Sequence, residues 1–154
     1  MIKNKLLFSI VNDEQKHISI RMIMNDKDKV WEQEFTTAED AVVAEFDYNY
    51  TEPYNWLTIH FTGDEQQNKL FAIKSVSINN QKLQVSSGFY TVYPNDFWNS
   101  LSDSDNEQMK HKVLSHGGML GWFGEINFEF FDLKHKRQMG KYHPTRFGVN
   151  RIVL

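Results

Sequence analysis

Residues 124–131 read GEINFEFF, and the fold is decided there. Ile126, Phe128 and Phe130 alternate with Glu125, Asn127 and Glu129. A strict period of two places one set on each face of a pleated strand, so this stretch predicts a half-buried β-strand. The same alternation recurs outward from it. Residues 17–24 put Ile18, Ile20, Met22 and Met24 on one face, and residues 56–62 put Leu57, Ile59 and Phe61 together. Further strands are expected at 5–11, 30–35, 41–48, 71–78, 82–85, 89–92 and 147–153. Turn residues separate them, at 25–29 (NDKDK), 62–68 (TGDEQQN), 79–80 (NN) and 86–88. Asn79-Asn80 predicts a two-residue hairpin, because asparagine tolerates positive φ better than other non-glycine residues.

Strands recurring every 8–14 residues or so, without long amphipathic helices between them, predict a mostly β, antiparallel β-sandwich or jelly-roll-like fold. One short helix is expected near 104–116. Ser104 and Glu107 have capping-box spacing, Met109, Val113 and Leu114 recur at helical spacing, and Gly117 or Gly118 would end it. A helical turn at 95–101 is a further expectation. The 154 residues fit one domain, since domains cluster at roughly 100–150 residues. Neither an internal repeat nor a linker divides 1–154, and a basic segment, 133–154, closes it.

The chain has no cysteine, which excludes disulfides, thiolate metal centres and thiol nucleophiles. It has no apolar run near the roughly 20 residues of a membrane span. Residues 1–13 open with Lys3 and Lys5 before a short apolar stretch, but Asn12, Asp13 and Glu14 follow at once, so a first strand is expected there rather than a secretion signal. No metal or other cofactor is expected. His111 and His116, or His135 and His143, lack a recognised zinc spacing, and His60 alternates with Thr58 and Thr62 as a surface residue would. Neither G-x-S-x-G nor H-E-x-x-H occurs. Glu125 and Glu129 would stand about 13 Å apart on one solvated strand face, wider than a glycosidase pair. A non-enzymatic protein is therefore expected. Gly117, Gly118, Gly121 and Gly124 precede a strand instead of a helix, so they predict unusual backbone angles or close backbone approach and not a phosphate loop.

Charge is distributed unevenly. The net charge is −3, yet six of the 17 basic residues and none of the 20 acidic ones fall in 133–154. They are Lys134, Lys136, Arg137, Lys141, Arg146 and Arg151. Residues 30–68 carry nine acids and no lysine or arginine; Glu32, Glu34, Glu39, Asp40, Glu45 and Asp47 form the expected acidic face. Opposed patches suit docking either within the chain or onto another copy, and the acidic remainder disfavours nucleic acid. A second candidate surface is aromatic. Tyr48, Tyr50, Tyr54 and Trp56 surround Pro53, and such rings stack on sugars, anchor interfaces, or simply pack between strands.

GGMLGWFGEINFEFFDL (117–133), NWLTIHFTGDEQQNKLFAIKSVSINNQKL (55–83) and FYTVYPNDFW (89–98) together resemble a pattern in small proteins of tailed bacteriophages, especially marine ones with contractile tails. The resemblance spans about 45–133. The chain departs from it in a shorter loop at 62–69, in lacking a proline after Phe131, and in its basic tail. It implies a β-sandwich component of a virion, made in the host cytoplasm, whose partners are other virion proteins or copies of itself. It transfers no catalytic residue. The same central segment is similar, more faintly, to calcium-dependent carbohydrate-binding modules, which implies surface glycans as partners. The acidic calcium ligands of those modules have no clear match in 63–69.

Overall fold

The structure, a computed structural model, describes residues 2–12, 17–50, 52–63, 69–83, 89–94, 119–120, 123–131 and 152–153. These form eleven strands: β1 (Ile2–Asn12), β2 (Ile18–Met24), β3 (Asp28–Phe35), β4 (Glu39–Tyr48), β5 (Tyr54–Gly63), β6 (Lys69–Ile78), β7 (Gln81–Leu83), β8 (Tyr90–Val92), β9 (Met119–Leu120), β10 (Gly124–Phe131) and β11 (Ile152–Val153). The first sheet runs β4-β1-β6-β7, with β9 also on β6. The second runs β11-β10-β5-β2-β3, with β8 also on β10. All pairs are antiparallel except β10 with β11. The β-sandwich expectation holds. The helix expected near 104–116, the turn at 95–101 and the six basic residues of 133–154 lie outside the described residues.

The core forms where the two inner faces meet. Leu6, Phe8, Val76 and Ile78 come from the first sheet, and Ile20, Met22, Ile59 and Phe128 from the second, all nearly or fully buried. Phe61 and Phe71 meet across the layers with ring centroids 4.2 Å apart. In β6 the alternation changes phase midway. Phe71 and Ile73 are buried, Lys74 is exposed, and Val76 and Ile78 are buried again. The ladder explains it: Leu7 opposes Ser75 while Phe8 opposes Ile73, so Lys74 is an extra residue. Such a bulge moves every later side chain to the other face, and here it returns them to the core.

The edge strands β3 and β4 lie on the same side of the sandwich, one in each sheet, joined through 36–38. Both are bulged, at Val30 in β3 and at Asp40–Ala41 opposite Ser9 in β4. Bulges and charged side chains blunt an edge against pairing with another chain. Glu32 and Glu34 of β3 and Glu39, Asp40, Glu45 and Asp47 of β4 belong to these two strands.

Both asparagine turns have two consecutive residues at positive φ, Asn25 and Asp26 (55° and 59°) and Asn79 and Asn80 (54° and 61°). That is the backbone of a tight hairpin turn whose twist matches the strands. Side chains then fix each turn to the sandwich. Asn25 Oδ1 accepts from the Trp56 amide at 2.9 Å, and Asn25 Nδ2 donates to Asn55 Oδ1 at 2.9 Å. Buried Asn4 accepts from the Asn79 amide at 3.1 Å and from the Tyr50 hydroxyl at 2.8 Å.

Candidate functional site

The register of the second sheet puts four outward side chains in one row. Glu32 opposes Arg21, Arg21 opposes His60, and His60 opposes Glu125. Arg21 Nη2 lies 3.1 Å from Glu32 Oε1, and Lys29 Nζ lies 2.7 Å from Glu32 Oε2. The hydrogen bond from Lys29, then that from Arg21, holds the Glu32 carboxyl below the usual carboxylate range. At the other end of the row His60 Nδ1 stands 3.2 Å from Glu125 Oε1. The two side chains are about one-third exposed.

His60 and Glu125 border a cavity of about 380 Å³, walled by Thr62, Tyr93, Pro94 and Phe123. Glycine shapes two of its walls. A Cβ on Gly124 would fall 2.6 Å from the Val92 carbonyl oxygen, and one on Gly63 would fall 2.3 Å from the His17 carbonyl oxygen and 2.6 Å from Phe123 Cζ. Gly124 thus permits the close approach anticipated from its sequence. Gly117, Gly118 and Gly121 lie outside the described residues. Beneath the polar rim, Asn127 Nδ2 donates to Glu125 Oε2 at 3.4 Å, and Asn127 Oδ1 accepts from the Thr58 hydroxyl at 2.7 Å.

Two expectations change here. Glu125 and Glu129 do not mark a solvated face: Thr58, Asn127 and Glu129 point outward yet are buried, so β10 is covered on both faces. His60 is not a plain surface residue, since it borders a cavity and meets a carboxylate there. No alternation pattern could have paired these two, because the partnership depends on the register between strands 65 positions apart in the chain.

The four rings of the expected aromatic surface differ in exposure. Tyr50 is 3% exposed, with its ring against Tyr48 (5.0 Å between centroids) and Phe130 (5.5 Å), so it offers no face to a ligand. Tyr54 packs on Phe131 at 5.0 Å and, like Trp56, is half-buried at the start of β5. Tyr48 donates to Asp28 Oδ2 at 2.8 Å. Burial first, and then this bond to a carboxylate, pushes its phenol up from 10.0 to about 12. The raised value means the neutral phenol is favoured by folding. That contribution is complete below pH 10 and is lost as pH rises through about 12. Comparison of ultraviolet titrations is expected to show that Tyr48→Phe loses a late tyrosine step; loss of a step at pH 10 instead would contradict the bond.

Acids of the expected acidic face have near neighbours among bases of the adjoining strands. Glu45 lies 3.5 Å from Lys5 and Glu34 lies 3.5 Å from His17, in addition to the Glu32 pairs. Glu39 accepts from the Thr37 hydroxyl at 3.2 Å, Asp40 sits at the β4 bulge, and Asp47 opposes Lys3 in the ladder. Another, larger cavity of about 480 Å³ opens on the first sheet between Lys5, Glu45, Asp47, Ser77 and Asn80. Among the described residues no three histidine, aspartate or glutamate side chains converge as a metal site.

No protein-family model matches the chain, and no curated protein matches it. Solved structures do. The chain is similar to a module described as vCBM60 in complex with galactobiose, with a TM-score of 0.50 and 16% identity over 82% of this chain and 96% of that one. A selenomethionine form of vCBM60 gives a TM-score of 0.49 and 15% identity over 81% and 89%. Its description concerns circular permutation between two families of calcium-dependent carbohydrate binding modules. At this identity the likeness is one of fold: the chain and that module share a β-sandwich.

Proposed function

We propose that the chain binds a carbohydrate, in the cavity between β5, β8 and β10. One observation carries the proposal: a concave site, built on paired strands, sets a histidine and a carboxylate beside half-buried Val92 and Pro94, with Tyr93 and Phe123 buried at its wall. Sugars present both hydroxyl groups and apolar ring faces, and a few convergent polar groups against an apolar wall suit that mixture. The fold shared with a module that holds galactobiose supports the same reading. The virion expectation rests on a resemblance and on the basic segment, whereas the shared fold speaks for the sugar reading, which is preferred.

A panel of immobilised neutral oligosaccharides, galactobiose included, tests this against the wild type, His60→Ala and Trp56→Ala. Binding is expected to fall at least tenfold in His60→Ala, the cost of one lost hydrogen bond to a ligand being roughly 1.5 kcal/mol. Trp56→Ala is expected to bind normally. The reverse pattern would move the site to the Tyr54–Trp56 surface, and no binding to any sugar would remove the proposal.

A hydrolytic role is the second reading, favoured by the 3.2 Å approach of His60 to Glu125. A histidine held by a carboxylate is the usual arrangement of a general base. Sugar released from soluble members of the same panel, and lost in His60→Ala, would support it.

A further inference from the structure

We infer that Glu125 is a positioning residue, which fixes the His60 imidazole with its proton on Nδ1 and leaves Nε2 as the acceptor at the cavity. The reasoning starts at Thr58, which is fully buried, and Asn127, which is 1% exposed. The Thr58 hydroxyl donates to Asn127 Oδ1 at 2.7 Å, so the amide of Asn127 turns its NH₂ toward Glu125 Oε2, 3.4 Å away. The opposite rotamer would set an amide oxygen against a carboxylate oxygen. An ionised carboxylate only accepts hydrogen bonds. Its Oε2 faces the Asn127 amide, and its Oε1 lies 3.2 Å from His60 Nδ1. That nitrogen must therefore carry the hydrogen. In a neutral ring the other nitrogen is then an acceptor, as when a carboxylate orients a histidine that ligates a metal.

Among the described residues, the neighbouring charges leave this arrangement undisturbed. Arg21 flanks His60 on the other side of the ladder, but its guanidinium is 3.1 Å from Glu32, whose second oxygen is taken by Lys29. Glu125 is therefore the carboxylate that His60 meets. A site whose histidine accepts takes a ligand that donates, which is to say a hydroxyl group. Glu125 beside it adds negative charge, so uncharged sugars are favoured over those bearing carboxylates. This choice of ligand class rests on the sugar-binding reading; the state of the ring does not.

The experiment has two arms. In the first, nitrogen-15 spectra of the imidazole side chains are recorded at alkaline pH without ligand, and His60 is assigned by its loss in His60→Gln. The expected wild-type result is a neutral ring protonated on Nδ1, with Glu125→Ala shifting the proton toward Nε2. A wild-type proton on Nε2 overturns the inference and needs no variant to fold. In the second arm, galactobiose and galacturonic acid disaccharide are titrated into wild type and Glu125→Ala. Galactobiose is expected to bind the wild type at least tenfold better than the acidic sugar, and to bind Glu125→Ala at least tenfold more weakly than wild type. Equal affinities for the two sugars overturn the preference assigned to the Glu125 charge, and an unchanged affinity in a variant whose tautomer has switched overturns the acceptor role. An Nδ1 proton with no sugar bound supports the positioning role and defeats the sugar reading alone.

Discussion

Phe71→Ala is expected to lower the free energy of unfolding by about 3–5 kcal/mol, the range for removing a large aromatic ring from a packed core. Phe71 is fully buried on β6. Its ring lies 4.2 Å from Phe61 on the opposing sheet and 6.1 Å from Phe123 at the cavity wall, by centroid. Truncation removes the contact that joins both layers to the site, and strands paired on either side cannot collapse into the space. Urea denaturation with an unchanged m-value and a lower midpoint is the expected readout. Val43→Ala, on an exposed edge position (44%), serves as the control and should move stability by no more than about 0.5 kcal/mol. A Phe71→Ala variant as stable as that control would mean that the sheets do not meet through this ring.

Gly124→Ala is expected to cost about 1–3 kcal/mol, as overpacking does, and to weaken sugar binding at least tenfold. The added carbon would stand 2.6 Å from the Val92 carbonyl oxygen and 3.4 Å from Tyr93 Cα and Pro94 Cδ. A backbone oxygen cannot rotate aside as a flexible side chain can. The end of β8 must therefore retreat from β10, carrying Tyr93 and Pro94 away from His60 and Glu125. Thermal unfolding and galactobiose titration of one preparation separate the two effects. Wild-type affinity in a destabilised variant would show that this wall does not shape the site.

Much of the sandwich was legible because period two is a strong signal wherever one face is buried. β2, β5 and β10 carry their inward residues at alternate positions without interruption, and each was read within about two residues of its bounds. The Asn79-Asn80 turn was legible for a different reason, the tolerance of asparagine for positive φ. β9 was missed, since two residues carry no period. The outer face of β10 was misread because alternation tells which residues share a face and not whether that face meets water. Asn127 and Glu129 look like solvated residues and are buried. For the site, composition drew attention to the aromatic residues near Pro53, whereas the geometry gathers His60, Tyr93 and Glu125 from three separate stretches of the chain. Each was visible as a residue, but their convergence depends on register, which local sequence does not encode.

The central claim is that the cavity beside His60 holds a sugar. Backbone amide shifts of nitrogen-15-labelled protein, followed during titration with galactobiose, test it most directly. The predicted result is saturable movement at His60, Thr62, Tyr93 and Glu125, with Tyr54 and Trp56 unmoved. Saturable movement confined to Tyr54 and Trp56, or no movement at any sugar concentration, would contradict it.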